Sequence, residues 1–117
     1  MARVSGWNGT GSNDSTPPIV TITKPENALY FNNKKILPLF TTVVIGIIEV
    51  EVEASDSLSG IDHVSFYLDD DLMGNVTASP YTWLWSERSF NRYTLEVIAF
   101  DGAGNFASDE ITLVKIF

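Results

Sequence analysis

The sequence predicts an all-β sandwich of about seven antiparallel strands in two sheets, and three observations lead to this fold class. Apolar and polar residues alternate strictly around residue 65, so that Val64, Phe66 and Leu68 share one face of a strand. Turns rich in Asp, Ser, Gly and Asn separate several segments of this kind. No segment shows the sustained periodicity of an amphipathic helix.

Length and composition indicate one folded domain. The chain has 117 residues, of which 44% are hydrophobic, which is enough for one core and too few for two domains. The formal net charge of −8 argues against nucleic acid and anionic membranes as partners, because both attract clusters of Lys and Arg. Without cysteine, the chain can form neither a disulfide nor a thiolate metal site.

The beginning of the chain is predicted to be a linker. Residues 1–17 are rich in Gly, Asn, Ser and Thr, a composition typical of flexible segments, and the domain is expected to cover residues 18–117. No apolar stretch follows Met1, so no signal peptide is predicted. The most apolar run, residues 43–48, is much shorter than the ~20 residues of a membrane-spanning helix, and no membrane insertion is expected.

The first predicted strand covers residues 19–23, after a Pro-Pro pair that suits the start of an edge strand. Two short strands, residues 29–31 and 36–37, are expected on either side of a turn at Asn32 and Asn33. Residues 41–54 are predicted to form the longest strand, with Ile48, Val50 and Val52 facing inward. Gly46 in its first half predicts a bulge or a close crossing of chains.

Three further strands complete the prediction. One begins at Pro80, one covers residues 93–101 and one covers residues 106–117. Alternation places Tyr81, Trp83 and Trp85 on one face of the first strand, and it predicts inward-facing residues in the other two: Leu95, Val97 and Ala99 in the second, and Ile111 and Leu113 in the third.

Short motifs distributed over residues 14–117 carry a family resemblance. In order they are STPPIVTI (15–22), ASD (54–56) with SGID (59–62), VSFYLD (64–69), PY (80–81), YTL (93–95), and AFD (99–101) with GN (104–105). The chain resembles the bacterial and archaeal Ig-like domains of secreted enzymes, adhesins and surface-layer proteins. The resemblance implies an immunoglobulin-like β-sandwich at an extracellular or cell-surface location. The segment 30–42 is longer than is usual in that family, and Asp69-Asp70 replaces its usual Asp-Gly turn.

Catalysis is not expected. His63 is the single histidine, it falls on the outward face of its strand, and no nucleophile motif is present, so a catalytic triad or a histidine metal site is disfavoured. Glu49, Glu51 and Glu53 share one strand face and could serve as paired glycosidase carboxylates. That chemistry also requires a cleft, and a solvated strand face explains the same pattern.

Calcium is the one candidate ion, although no cofactor is required. In the topology that the resemblance implies, two loops meet at one end of the sandwich and bring Asp56 and Asp62 towards Asp101 and Asn105. Calcium prefers such oxygen ligands. The alternative is that these residues only form turns, because Asp, Asn and Ser bond their own backbone.

An apolar patch on the outer face is a candidate interface. If Leu95, Val97 and Ala99 face inward, then the apolar side chains on the other face of three adjacent strands are exposed together. These are Tyr67, Ile98, Phe100, Val114 and Ile116. An adjoining module or a second copy is expected to cover them, and the competing explanation is that segment 30–42 folds over the patch.

Two functions remain open. The first is a non-catalytic spacer or protein-interaction and adhesion module of a larger extracellular protein, whose partners are neighbouring modules or cell-surface proteins. As an isolated domain it is expected to be a monomer. The second is a carbohydrate-binding module of a secreted polysaccharide-degrading enzyme, with Tyr81, Trp83 and Trp85 as a stacking platform. Exposure of Trp83 and Trp85 distinguishes the two, since the first function places these rings in the core.

Overall fold

The computed structural model describes residues 14–117, which form two packed β-sheets and contain no helix. Most of the predicted linker lies outside these residues. The strands are β1 (Ile19–Lys24), β2 (Ala28–Phe31), β3 (Lys34–Pro38), β4 (Thr42–Ile45), β5 (Ile48–Ser55), β6 (Ile61–Leu68), β7 (Asp71–Val76), β8 (Tyr81–Trp85), β9 (Phe90–Asp101) and β10 (Phe106–Ile116). The small sheet has the order β1-β5-β8, and the large sheet has the order β3-β2-β4-β10-β9-β6-β7.

The predicted strand at residues 41–54 is wrong in one respect, because the chain breaks into β4 and β5. Gly46 lies between them with a φ of +88°, a backbone conformation that residues with a Cβ rarely adopt. A Cβ at Gly46 would lie 2.0 Å from Oδ1 of Asn32. The break sends β4 into the large sheet and β5 into the small one, so Gly46 marks the point where the chain changes sheets.

The long segment 30–42 forms a hairpin in the plane of the large sheet. Asn32 and Asn33 have φ values of 46° and 74°, which confirms the turn predicted from this pair. Strand β2 pairs with β4 in parallel and with β3 in antiparallel orientation. The segment therefore extends the sheet sideways, and this pairing does not support the competing explanation that it folds over the outer apolar patch.

The core lies between the two sheets and follows the predicted alternation. Ile48, Val50 and Val52 of β5 are buried, and so are Val64, Phe66 and Leu68 of β6 and Leu95, Val97 and Ala99 of β9. The small sheet contributes Trp85, and the hairpin adds Tyr30. Apolar burial on this scale is the main source of stability in a domain of this size.

The domain is elongated, and the chain passes along its length. The extents are 56 × 25 × 20 Å. Ile19 of β1 pairs with Ser55 at one end of the sandwich, close to the turn after Asp101. At the other end, Ile116 pairs with Phe90 and Ile45. We call these the entry end, where Asp14 lies, and the exit end, where Phe117 lies.

Candidate functional site

Three carboxylates meet at the entry end and form what we call the acidic cluster. One carboxylate oxygen from each of Asp14, Asp56 and Asp101 lies within 4.8 Å of the others. Asp14 and Asp101 are buried, whereas Asp56 is half-buried. Like charges at this separation repel one another strongly when they are shielded from water.

Asp14 is held by one neighbouring residue and by two partners that are far away in the sequence. Its carboxylate accepts hydrogen bonds from the Ser59 hydroxyl at 2.7 Å and from the Thr16 backbone N–H at 2.9 Å. Its carbonyl accepts the Asn105 side-chain amide at 2.9 Å. These contacts fasten the segment before β1 onto both loops of the entry end.

The turn after β9 organises the Asp101 carboxylate. The backbone N–H groups of Ala103 and Asn105 donate to its Oδ1 at 2.9 and 2.8 Å, and the Asn105 amide donates to its Oδ2 at 2.9 Å. Burial of this carboxyl raises its pKa, but the hydrogen bonds from Asn105 and Ala103 outweigh that effect and lower the pKa of Asp101 to about 2. Asp101 therefore carries its negative charge at any physiological pH.

The Asp56 carboxylate likewise accepts backbone hydrogen bonds, in the turn after β5. Its Oδ1 accepts the backbone N–H groups of Leu58 and Ser59, both at 3.0 Å, as is usual where an aspartate opens a turn. The Gly102 N–H donates to the Gly60 carbonyl at 3.0 Å and joins the two loops. The hydrogen bonds of Asp56 and Asp101 agree with the turn-forming interpretation. The same two turns bring both carboxylates into the acidic cluster.

The structure brings together only part of the predicted metal set. Asp56, Asp101 and Asn105 converge, but the Asn105 amide nitrogen is occupied with donating to Asp14 and Asp101. Asp62 lies outside the cluster and contacts Nδ1 of the adjacent His63 at 2.7 Å. Asp14 takes its place, and the sequence signal for it was only an aspartate ahead of the Pro-Pro pair. Carboxylates in this arrangement can hold a hard cation, since calcium binds oxygen ligands.

The five predicted interface residues all lie on the outer face of the large sheet, four of them in two groups and the fifth, Tyr67, beside Glu96. Near the entry end, the Phe100 ring stacks on His63 with centroids 4.3 Å apart and lies 5.9 Å from the Phe106 ring. Ile98 follows Phe100 on the same face. Val114 and Ile116 lie towards the exit end, where they pair with Arg92 and Phe90.

Polar residues interrupt the predicted patch. Tyr67 pairs with Glu96, which in turn pairs with Glu110 of β10. Thr94 and Thr112 form the next pair on this face. The two apolar groups are therefore separate surfaces. Alternation within single strands does not predict this division, because it depends on which residues pair across the strands.

The aromatic strand β8 faces the core. Tyr81, Trp83 and Trp85 pair with Val52, Val50 and Ile48 of β5. Trp85 is 2% exposed, and its ring stacks on Trp83 at a centroid distance of 5.7 Å. Tyr81 and Trp83 are half-buried and pack against the core. This strand therefore offers no platform of three exposed rings to a sugar.

The glutamates of β5 lie on the opposite face of the small sheet. Glu49, Glu51 and Glu53 line an open trough of about 800 Å³ together with Thr21, Thr23 and Thr82. Glu51 also pairs with Lys24 at 4.0 Å. The trough is a shallow sheet surface, consistent with the solvated face that the sequence favours.

Within residues 14–117 there is no helix long and apolar enough to span a membrane.

The fold is similar to several solved structures at low sequence identity. The fibronectin(III)-like modules of Clostridium thermocellum CbhA match with a TM-score of 0.66 and 22% identity, over 86% of this chain and 47% of that one. This chain thus spans about half of that structure. The PKD1 domain of Vibrio anguillarum Epp matches with a TM-score of 0.56 and 10% identity, over 88% and 98% of the two chains. The endo-beta-1,4-mannanase from Thermotoga petrophila matches with a TM-score of 0.59 and 10% identity, over 90% and 21%.

Sequence comparison identifies the family. No curated protein matches the chain significantly. The family described as the bacterial Ig domain matches residues 18–97, a range that runs from β1 into β9 and includes both sheets of the sandwich. The β-sandwich described above agrees with that match, and the chain belongs to the bacterial Ig domain family.

Proposed function

We propose that the chain is a non-catalytic spacer module of a larger extracellular or cell-surface protein. The observation that carries this proposal is the path of the chain, which passes from Ile19 at one end of a sandwich 56 Å long to Phe117 at the other. A domain with this path adds its full length to a chain of modules. Outward apolar groups on the large sheet provide contacts for neighbouring modules or for an adhesion partner.

The comparisons support a modular role. The matched CbhA structures are named as modules, and the matched part of the mannanase covers 21% of that enzyme. The same fold thus occurs there as one part of a larger protein. The stacking of His63 on Phe100 and the open trough lined by the β5 glutamates support a non-catalytic role.

Affinity electrophoresis distinguishes the spacer from a carbohydrate-binding module. In gels that contain soluble β-glucan or mannan, the mobility of the chain is expected to equal its mobility in a plain gel, because the rings of β8 face the core. Phe106 offers an exposed ring beside Phe100, so Phe106→Ala is the matched variant. Retardation by a polysaccharide that Phe106→Ala removes would contradict the spacer proposal.

Calcium binding stays a prediction, and the acidic cluster gives it a specific test. With a dissociation constant of about 1 mM, typical of extracellular calcium modules, about 10 mM Ca²⁺ is expected to add ~1.4 kcal/mol to the free energy of unfolding. The midpoint of thermal unfolding should then rise by several degrees. Asp101→Ala is expected to remove this gain.

The control for calcium binding is Asp62→Ala. Asp62 is as acidic as Asp101 and lies in the same region, but its carboxylate contacts His63 and not the acidic cluster. Its variant should keep the full calcium-dependent rise. A midpoint that does not move with Ca²⁺ in the parent protein, or that moves equally in both variants, would refute binding at the cluster.

A further inference from the structure

The first strand of the fold is held at one edge only. β1 pairs with β5 from Ile19 to Lys24, and among the described strands its other edge has no partner. The pairing is irregular between Ile22 and Lys24. Towards the large sheet, the Ile22 side chain is buried and its backbone N–H donates to the Asp109 carboxylate at 2.9 Å. β1 is therefore an edge strand with a single neighbouring strand.

The three residues that follow β1 are fixed to the large sheet, and we call them the anchor. Pro25 is fully buried. The Thr42 hydroxyl lies 3.0 Å from the Glu26 carbonyl and 3.1 Å from Oδ1 of Asn27, within hydrogen-bond distance of both. The Glu26 N–H donates to the Tyr30 hydroxyl at 3.1 Å. A load that detaches β1 therefore meets a second, independent set of contacts at the anchor.

Three parallel strands connect the anchor to the exit end. β2 pairs with β4, and β4 pairs with β10, both in parallel orientation. β2 is also paired with β3, and β10 is paired with β9 from Phe106 to Ile116. The Gly46 N–H donates to the Ile116 carbonyl at 2.7 Å and continues the hydrogen bonding beyond β4. Unlike β1, each of these three strands has a neighbour on both sides.

We propose that tension along the chain releases β1 in a separate first step, while the anchor and the other nine strands stay folded. Tension between Asp14 and Phe117 pulls β1 towards the entry end and β10 towards the exit end, in each case along the strand. β1 slides against one neighbour, whereas β2, β4 and β10 each slide against two, so β1 detaches first. This inference rests on the proposed spacer function, because a module is under tension only when its neighbours pull on it.

The release of β1 lengthens the spacer and keeps most of its core. Residues 14–24 reach at most ~37 Å when extended, of which β1 already spans ~20 Å in the fold, so the first step adds roughly 10–20 Å. β1 contributes only Ile22 to the buried core, and its loss leaves the packing between the other strands in place. Local opening of this kind occurs where a fold is held by few contacts. The domain is thus an extensible spacer that shortens again when β1 pairs with β5.

Stretching single molecules with optical tweezers tests the inference. The chain is held by handles at its two ends, in EDTA so that the result does not depend on calcium. Two steps are expected as the force rises: a first lengthening of roughly 10–20 Å, and a second, at higher force, of about 300 Å as the remaining residues unfold. When the force is lowered after the first step alone, the original length should return without global refolding.

A disulfide between β1 and β5 shows which strand leaves first. Thr21 and Glu53 pair directly and are both exposed on the outer side of the small sheet, where directly opposed side chains are close enough for a disulfide. The chain has no cysteine of its own. Oxidised Thr21→Cys/Glu53→Cys should lack the first step, and reduction should restore it. Ile19→Cys/Ser55→Cys provides the same test at a second opposed pair.

The hydrogen bond between β1 and Asp109 gives a second test. Asp109→Ala removes the acceptor of the Ile22 N–H, so the rate of the first step at a given force should rise about five-fold, the effect of one hydrogen bond. The second step should not change. Glu110→Ala is the matched control, because Glu110 is the next residue of β10 and is exposed on the outer face, and it should change neither step. Circular dichroism confirms that each variant is folded.

Three results would overturn the inference. They are unfolding in a single step, a first step that persists in the oxidised disulfide variants, and equal acceleration of the first step by Asp109→Ala and Glu110→Ala. Each of these results leaves the spacer function unaffected. Polysaccharide retardation that Phe106→Ala removes would instead refute the spacer function itself, whatever the force measurement shows.

Discussion

Replacing Phe66 with alanine is expected to lower the free energy of unfolding by about 3–5 kcal/mol. The Phe66 side chain is 0% exposed and lies at the centre of the core, opposite Val97 in the large sheet and 6.1 Å from the Trp83 ring of the small sheet. Its removal leaves a cavity that both sheets would have to close. For a domain with ~5–15 kcal/mol of stability, this loss is a large fraction.

Urea unfolding of Phe66→Ala and Phe106→Ala provides the measurement and its matched control. Both variants remove the same atoms, but Phe106 is 63% exposed on the outer face of the large sheet. Phe106→Ala should therefore cost less than ~1 kcal/mol. Similar losses in the two variants would mean that Phe66 is not a core residue and that the faces of β6 are reversed.

The strand faces could be predicted because burial repeats every second residue. In β6, burial of Val64, Phe66 and Leu68 follows directly from this period. The Asn32-Asn33 turn could also be predicted from the sequence, since asparagine tolerates positive φ. These features depend on neighbours in the sequence, and short-range patterns are sufficient to find them.

The break at Gly46 was harder to predict because the alternation continues across it. Val44 and Ile48 are both buried, so residues 41–54 look like one strand although the two buried side chains belong to different sheets. Only the positive φ of Gly46 and the proximity of Asn32 reveal the change of sheet. The Asn32 contact depends on tertiary structure and leaves no local signal.

The acidic cluster shows the same limit. Asp56 and Asp101 could be predicted to converge once the topology was inferred, because each opens a turn at the same end. Asp14 could not, since its partners Ser59 and Asn105 are 45 and 91 residues away. In a polar segment before the first strand, no sequence pattern shows which residue is hydrogen-bonded to the folded domain and which is exposed to solvent.

Lys115 is the residue whose environment departs most from its chemical character. It lies on the inward face of β10, and its side chain is 0% exposed. The ammonium group donates to the Glu87 carbonyl at 3.1 Å and to the Phe117 carbonyl, and it lies 5.2 Å from the centroid of the Trp85 ring. Burial lowers the pKa of Lys115 from 10.5. These carbonyls and the ring replace part of the lost hydration.

Lys115→Ala is expected to destabilise the domain by about 2–5 kcal/mol. The change leaves a cavity beside Trp85 and removes the hydrogen-bond donor from two carbonyls at the exit end. Lys115→Met fills most of the same volume without a charge, so it should cost less than ~1.5 kcal/mol, because the lost hydrogen bonds are offset by the removal of a buried charge. Urea unfolding at neutral pH measures both variants.

The pH dependence of stability then separates the charge of Lys115 from its packing. Because the folded pKa is lowered, the unfolded state binds more protons between the folded pKa and 10.5, and the stability contributed by this group rises with pH across that range. The parent protein should therefore gain stability relative to Lys115→Met as the pH is raised towards 10.5, whereas below the folded pKa the difference between them should be constant. If the difference in free energy of unfolding between the parent and Lys115→Met did not change on the alkaline side, the fold would not destabilise the charged form of Lys115.

Equal destabilisation by the Ala and Met variants at neutral pH would instead show that the hydrogen bonds of the ammonium group, and not the volume of the side chain, stabilise this end of the sandwich.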